Sequence, residues 1–125
     1  MNNLAKSKAI INARPAAAKI ISEVIRHHRS LNGVLRTALV SLPENERSLC
    51  QQLCYGVIRW QPQLQAIAAQ LLAKPLKNKD SDINALLLCG LYQLRDMRLP
   101  EHAALSETVN ACAALGKPWA KGLIN

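Results

Sequence analysis

The sequence CGLYQLRDMRLPEHAALSETV, residues 89–109, has the pattern of two helices joined at a proline. Apolar residues recur at helical spacing from just before this stretch into its first helix: Leu87, Leu88, Leu91 and Leu94. They recur again at intervals of four beyond the proline: Leu105, Val109 and Ala113. The residue before a proline is biased away from helical geometry, so the break is expected near Leu99. Gly90 leaves room for a close neighbour. The pattern therefore predicts a helical hairpin, on which the rest of the fold is organised.

The composition favours helices packed on helices. Half of the 125 residues are apolar, chiefly Leu and Ala, Phe is absent, and only four are aromatic. This length suits one domain with a single core. We predict an all-α bundle of about six to seven helices over residues 13–125, preceded by a basic lead at residues 1–12. The last predicted helix, near Trp119–Asn125, is cut off after two turns, as expected for the front piece of a longer protein.

Four further helices are predicted before the helix that enters the hairpin. The first starts between Ala13 and Pro15, because proline suits the first helical turn. Ser41, followed three residues later by Glu44, has the spacing of a capping box for the third helix. Pro62 starts or kinks the fourth, and the stretch from residue 74 to residue 80 is a basic loop. The third and fourth helices carry predicted core residues: Leu49, Cys50, Leu53, Cys54, Val57, Ile58, Leu64, Ile67, Ala68, Leu71 and Leu72.

The formal charge is +8, and residues 1–42 alone carry a balance of +6. A basic N-terminal third suggests a polyanionic partner, with nucleic acid ahead of a membrane surface. The alternative is a solvated face that keeps a small domain soluble. No apolar run is long enough for a membrane span, and no secretory signal follows the N-terminal lysines. The expected location is the cytoplasm.

No catalytic or metal-binding pattern emerges. Glycine-rich phosphate loops, Cys-x-x-Cys and paired histidines at metal spacing are all missing from the sequence. His102 and Glu107 lie five residues apart, where two helical side chains do not face each other well. The four cysteines are interpreted as small core residues of a reducing compartment: Cys50, Cys54, Cys89 and Cys112. We expect no catalytic residue, metal or cofactor within these 125 residues.

Two clusters combine aromatic and basic side chains. Tyr55, Arg59 and Trp60 fall near the end of the third helix, and the second cluster surrounds Trp119, between Lys117 and Lys121. Aromatic rings can stack on unpaired bases, and arginine can hold phosphate or stack in the same way. The alternative is that Tyr55 or Trp60 anchors the core. Together with the basic first helix, the clusters predict an RNA-binding surface.

Five segments carry a resemblance to a known family. They occur in this order: ARPAA (residues 13–17), LCYGVIR (53–59), GLYQL (90–94), PEHAALSETV (100–109) and KGLIN (121–125). Together they resemble the N-terminal domain of the RsmB (Sun/Fmu) family of bacterial 16S ribosomal RNA cytosine-5 methyltransferases. That domain is similar to the antitermination factor NusB, an all-helical RNA-binding fold. The strings HAALSETV and KGLIN distinguish the methyltransferase type from NusB itself.

The resemblance implies an RNA-binding module whose parent enzyme methylates a cytosine in small-subunit ribosomal RNA. The parent would use S-adenosylmethionine, bound by a separate Rossmann-like catalytic domain that also carries the nucleophilic cysteine. Ribosomal RNA and that C-terminal catalytic domain are the implied partners. Matching the segments to the RNA surface of NusB points to Arg14, Gly56, Val57, Arg59, Lys121 and Asn125. With the basic and aromatic positions beside them, the candidate RNA-binding residues are Arg14, Lys19, Tyr55, Gly56, Arg59, Lys117, Lys121 and Asn125. Two alternatives stay open, a free-standing antitermination factor that regulates transcription and a structural domain that packs on the catalytic domain without touching RNA.

Overall fold

The computed structural model describes residues 12–97 and 99–124, which form seven α-helices and no strand. The helices are α1 (Ala13–His27), α2 (Leu31–Val40), α3 (Glu44–Arg59), α4 (Gln61–Leu71), α5 (Ser81–Tyr92), α6 (Glu101–Ala114) and α7 (Lys121–Ile124). Two 3₁₀ turns, Asn78–Asp80 and Pro118–Ala120, precede α5 and α7, and a π-helical turn, Gln93–Met97, follows α5. The predicted all-α bundle is therefore confirmed. None of the described helices is long and apolar enough to cross a membrane.

Helix α1 lies at the centre of the bundle, where its most extensive contacts are with α5 and α3. It starts at Ala13, as predicted, and its buried face is rich in small residues: Ala13, Pro15, Ala16, Ala17, Ala18, Ile20 and Ile21. Small side chains at a contact allow helix axes to approach closely. The alanines of α1 thus allow the neighbouring helices to pack closely around its first two turns.

The N-terminus of α1 is capped from another helix. The backbone N–H of Ala13 donates a hydrogen bond to Oε1 of Glu46 on α3, at 2.8 Å. The predicted capping box of Ser41 and Glu44 is wrong, because α3 starts directly after Pro43 and no side chain caps its first turn. Ser41 instead ends α2. Glu46, in the acidic first turn of α3, therefore caps α1 and not its own helix. This contact between helices cannot be predicted from the spacing of residues within one helix.

The hairpin of α5 and α6 is confirmed, since α5 ends at Tyr92 and α6 begins at Glu101. A Cβ atom at Gly90 would lie 3.3 Å from Cγ2 of Thr108, so the glycine does admit a close neighbour. The predicted inner face of α6 is wrong by one residue. Leu105 and Val109 are half-buried and Ala113 is exposed, whereas the buried residues are Ala104, Thr108, Ala111 and Cys112.

The buried side chain of Gln93 explains that shift of face. Its Nε2 donates to Oγ1 of Thr108 and to the carbonyl oxygen of Cys89, both at 3.0 Å. Its Oε1 accepts a hydrogen bond from Nε of Arg14 at 2.8 Å. A buried hydroxyl needs a partner, and Thr108 finds one in Gln93 on the face that turns inward. Hydrophobic periodicity takes no account of this polar pair, and it therefore predicts that Leu105 lies on the buried face.

Two predicted core leucines lie at the surface. Leu71 is 65% exposed and Leu94 is 39% exposed, although both fall on the expected apolar faces. With Leu91, Leu105 and Ile124 they line a shallow apolar groove of about 170 Å³ between the hairpin, the end of α4 and α7. Most other predicted core residues of α3 and α4 are buried: Cys50, Leu53, Cys54, Val57, Leu64 and Ala68.

All four cysteines are buried and free, as expected of core residues. Burial raises the pKa of Cys89 to about 12. A hydrogen bond with the Cys50 thiol and burial together raise the pKa of Cys54. These two thiols are therefore protonated at neutral pH, and a protonated thiol is a poor nucleophile.

Candidate nucleic-acid interface

Arg14 is held in place from inside the bundle. It lies at the start of α1 and is partly exposed, with its Nε bonded to the buried Gln93. A guanidinium group carries five N–H donors in a fixed plane, and this bond uses one of them. Fixing the Nε orients the plane before any ligand arrives, which reduces the entropy lost on binding.

Two further arginines converge on one tryptophan. The guanidinium carbons of Arg59 and Arg95 lie 5.5 and 5.4 Å from the centroid of the Trp60 ring. Both distances are within the range of cation–π attraction. Trp60 is half-buried and packs against the core, so the core-anchor alternative holds for this residue in part. The ring restrains both guanidinium groups, and Arg95 is also held by the carboxylate of Asp96 at 3.0 Å.

Gly56 makes this convergence possible. It is buried in α3, and a side chain there would overlap the ring of Tyr92 at the end of α5. The close contact brings the turn that carries Arg95 against the end of α3. Tyr55, next in sequence to Gly56, is 44% exposed, and its hydroxyl is bonded to Oδ1 of Asn32. Tyr55 and Arg59 are four residues apart and thus neighbours on the helix surface.

Arg14, Gly56 and Trp60 each meet a single segment of the chain, residues 92–97, which carries Arg95. Arg14 reaches it through Gln93, and α3 reaches it through Gly56 and Trp60. Arg59 joins them at the Trp60 ring, and Tyr55 lies one helical turn before Arg59 on α3. We call this the arginine–tryptophan surface, defined by five side chains: Arg14, Tyr55, Arg59, Trp60 and Arg95. The sequence-predicted residues Arg14, Tyr55, Gly56 and Arg59 are therefore brought to the same region of the fold.

Lys117 lies elsewhere and already has partners within the chain. Its Nζ is 2.7 Å from Oδ1 of Asp82 and 3.1 Å from Oδ1 of Asp80, and it donates to the carbonyl oxygen of Lys79. Burial by itself lowers the pKa of Lys117, but the bonds to the two carboxylates outweigh it and raise the pKa. Lys19 lines the same shallow pocket as Asp82 and Lys79. We call this region the lysine corner, defined by five residues: Lys19, Lys79, Asp80, Asp82 and Lys117. It brings Lys19 and Lys117 to the same side of the fold, where Lys117 is ion-paired.

The other two predicted residues belong to the end of the chain. Lys121 is exposed at the start of α7, and Asn125 lies outside the described residues. Burial raises the pKa of Cys112, and the charge of Lys121 opposes that rise, which puts Lys121 near the buried end of α6. Trp119, between Lys117 and Lys121 in sequence, is 58% exposed. Among the described residues, no group of three or more His, Cys, Asp or Glu is placed to hold a metal ion.

Sequence reasoning missed Arg95. It sits in the hairpin turn next to Asp96, whose carboxylate accepts a hydrogen bond from its Nε at 3.0 Å, and nothing local marks it as a binding residue. The available signal was Gly56 within an otherwise apolar helix face, which indicates that some element approaches α3 closely. Which element approaches is decided by the packing of α3 against the end of α5.

Nearly the whole chain is similar to known proteins. Residues 11–125 match the NusB family. Ribosomal RNA small subunit methyltransferase B of Pseudomonas syringae pv. tomato is 51% identical over 115 residues, which is 92% of this chain and 26% of that protein. The protein of the same name from Pseudomonas putida is 50% identical over 92% of this chain and 26% of its own length.

A more distant relative has a related name and similar coverage. The probable ribosomal RNA small subunit methyltransferase B of Coxiella burnetii is 44% identical over 92% of this chain and 26% of its own length. The chain thus spans about a quarter of the length of the curated relatives it matches. Because the family match covers nearly the whole of this all-helical chain, the chain belongs to the NusB family.

Proposed function

We propose that this chain is the RNA-binding module of a ribosomal RNA methyltransferase that modifies a cytosine of the small subunit. Within it, the arginine–tryptophan surface holds substrate RNA through phosphate and stacking contacts. The methyl transfer itself would belong to a further part of a longer polypeptide, which would meet its substrate in the bacterial cytoplasm. The names of the relatives support the substrate class, since three proteins 44–51% identical to this chain are called small subunit rRNA methyltransferases.

The observation that carries the RNA-binding proposal is the pair of guanidinium groups at Trp60. Arg59 and Arg95 are held at 5.5 and 5.4 Å from its ring, and Arg14 is fixed by Gln93 beside the same turn. Planar guanidinium groups can bond phosphate oxygens in two places at once or stack on bases. Restrained cations beside aromatic rings are what a single-stranded or looped RNA requires of a binding surface.

We place the site for the parent enzyme's cofactor, S-adenosylmethionine, outside this chain. Rossmann-like cofactor sites are built at the carboxyl ends of parallel strands, and the described residues contain none. The role proposed for the chain is therefore to bind and orient RNA, which contributes to catalysis by fixing the position of the reacting base.

The test is a titration of this chain with a hairpin of small-subunit ribosomal RNA at about 50 and 200 mM salt. Reversing the exposed Arg59 to Glu is expected to weaken binding at least about tenfold at low salt, because one attraction becomes a repulsion. Arg36→Glu is the matched control: Arg36 is exposed on α2 and has no recorded ion pair among the described residues. Equal losses for the two variants would mean that only net charge matters, and no binding by the unchanged chain would refute the proposal.

A second candidate function rests on the apolar groove. Leu71, Leu94 and their neighbours form an unpartnered apolar surface that ends at Ile124, and the relatives are about four times as long as the matched segment. The groove would then dock the catalytic domain of the same polypeptide. Replacing Leu94 and Leu105 by Ser should reduce association with that domain, supplied as a separate fragment, without affecting the RNA titration. Loss of RNA binding in that variant would contradict the separation of the two surfaces.

A free-standing antitermination factor remains the other alternative. The names and lengths of the relatives favour the methyltransferase. Binding to a transcribed leader RNA in preference to the ribosomal hairpin would favour the antitermination factor instead.

A further inference from the structure

A second concave site lies away from the arginine–tryptophan surface. It is a cleft of about 580 Å³ between the C-terminal end of α1, helices α4 and α5, and the segment that joins α4 to α5. Arg26, which lines it, follows Arg14 by twelve residues on α1, so the two lie about 18 Å apart along the helix axis. The volume falls within the roughly 300–1,000 Å³ of small-molecule sites.

The cleft has aliphatic walls and fixed carboxamides. Ile25, Leu72 and Leu76 line it together with Gln65 and Asn84. The two carboxamides bond each other reciprocally, Asn84 Nδ2 to Gln65 Oε1 at 3.0 Å and Gln65 Nε2 to Asn84 Oδ1 at 3.3 Å. Each amide keeps a second N–H and a second oxygen lone pair. A donor and an acceptor on each of two rigid groups can match the edge of a nucleobase, and the aliphatic walls can hold its faces.

The rim of the cleft is positively charged. Arg26 and Lys77 line it, and Lys19 and Lys79 line the adjoining shallow pocket that shares Arg26 and Ser81. None of these four cations is recorded in an ion pair within residues 12–97 and 99–124. No carboxylate is among the described residues that line the cleft.

The carboxylates next to the cleft are partly neutralised. In the adjoining pocket, Glu23 is 3.4 Å from Arg29 and 3.8 Å from His27, whereas Asp82 at 2.7 Å shares Lys117 with Asp80 at 3.1 Å. The four cations of the rim outnumber the one carboxylate charge that is left over, so the field there is net positive and attracts phosphate.

We infer that this cleft binds one unpaired nucleotide of the RNA, its base on the Gln65–Asn84 carboxamides and its flanking phosphates on Arg26 and Lys77. The inference rests on the proposed RNA-binding function and adds a second point of attachment at the opposite end of α1. Two contacts separated along one helix would fix the orientation of the RNA as well as its position.

The first experiment fills the cleft without changing any charge. Ala69 and Ala66 are both exposed on α4, but only Ala69 lines the cleft. Ala69→Leu is expected to weaken binding of a looped ribosomal hairpin at least about fivefold, while Ala66→Leu stays within about twofold. Arg26→Gln should lower the slope of log affinity against log salt by about 0.7, the value for one phosphate contact on a single strand, and Arg36→Gln should not change it. Hairpin binding that is lost in Arg59→Glu but unchanged in Ala69→Leu and Arg26→Gln would overturn the inference and leave the proposed function standing.

The second experiment needs no RNA binding. The side-chain amide resonances of Gln65 and Asn84 are followed by NMR during titration with uridine or cytidine 5′-monophosphate to about 10 mM, enough to detect millimolar affinity. Shifts that disappear in Ala69→Leu support the cleft, even if the chain binds no hairpin and the proposed function fails. No shift with either nucleotide, or the same shifts with inorganic phosphate alone, would overturn the inference.

Discussion

The arginine–tryptophan surface and the lysine corner are both rich in cations, but they restrain those cations in different ways. At the first, Arg14 is fixed by a neutral amide and Arg59 by an aromatic ring, so their positive charge is kept while their motion is reduced. At the second, Lys117 bonds two carboxylates, which cancels its charge. Counting basic residues in the sequence treats the two regions alike. Among the described residues of the two regions, Arg14 and Arg59 offer an anionic ligand charge that is both fixed and uncompensated, whereas Arg95 is paired with Asp96 and Lys117 with two carboxylates.

The buried amide of Gln93 should be the most sensitive point of the arginine–tryptophan surface. Gln93→Leu removes the partner of the buried Thr108 hydroxyl and of Nε of Arg14, while the carbonyl oxygen of Cys89 keeps the backbone N–H of residue 93. We expect the free energy of unfolding to fall by about 2–4 kcal/mol, since the stranded buried hydroxyl carries a desolvation penalty and the whole network is lost with the amide. Urea denaturation measures this, with Gln52→Leu at an exposed position of α3 as the control. A loss no larger than that of the control would show that the network does not hold the surface together.

The contact between Gly56 and Tyr92 should rank second. Gly56→Ala would place a methyl group within the Tyr92 ring, so the ring must move and the turn with Arg95 must shift with it. We expect a loss of about 1–3 kcal/mol in stability, together with weaker RNA binding.

The control for this variant is a glycine with space around it. Gly33→Ala, on α2, meets no atom within 4 Å, and should leave the protein unchanged or more stable by up to about 1 kcal/mol. Thermal unfolding of the two variants in parallel makes the comparison; equal behaviour would contradict the close approach described at Gly56.

On the lysine corner the expected effect is smaller and depends on pH. Lys117→Met removes the partner of Asp80 and Asp82 and should reduce the unfolding free energy by about 1–2 kcal/mol at neutral pH. The pKa of Lys117 is raised above its ordinary 10.5, because the carboxylate bonds outweigh burial. A raised pKa means that the stabilisation is complete below about 10.5 and is lost as the pH rises through the folded-state pKa.

The stability difference between the unchanged protein and Lys117→Met should therefore be constant from about pH 7 to 10 and narrow above that range. Denaturation at a series of pH values tests this, with Lys121→Met, exposed on α7, as the control. A difference that widens at high pH would contradict the assigned ion pairs.

Local sequence patterns predicted the helices well because those helices depend on local periodicity and on proline. Pro62 does lie in the first turn of α4, and the break before Pro100 lies where its steric effect puts it. Patterns failed where a partner comes from far along the chain. Glu46 caps α1 across 33 residues, Thr108 turns inward to meet Gln93, and Lys117 is paired with carboxylates 35 and 37 residues before it.

The candidate site residues likewise include some that local sequence patterns predicted and one that depends on long-range packing. Arg14, Tyr55 and Arg59 were identified from the sequence, and the fold brings them to one region. Arg95 was not, because its position at Trp60 depends on how two helices cross. Lys19 was grouped with the others by charge and Lys117 by its position beside Trp119, and neither feature carries information on which element a lysine faces.

The π-helical turn at Gln93–Met97 makes the arginine–tryptophan surface depend on chain length as well as on residue identity. Each residue of an α-helix turns the next side chain by about 100°, so one residue fewer between Gln93 and Arg95 would rotate Arg95 away from Trp60. The same deletion would leave Gln93 in register with α5, and its contact with Arg14 would stay in place. A related chain with every basic residue retained, but one residue shorter at this point, would therefore present a different surface to RNA.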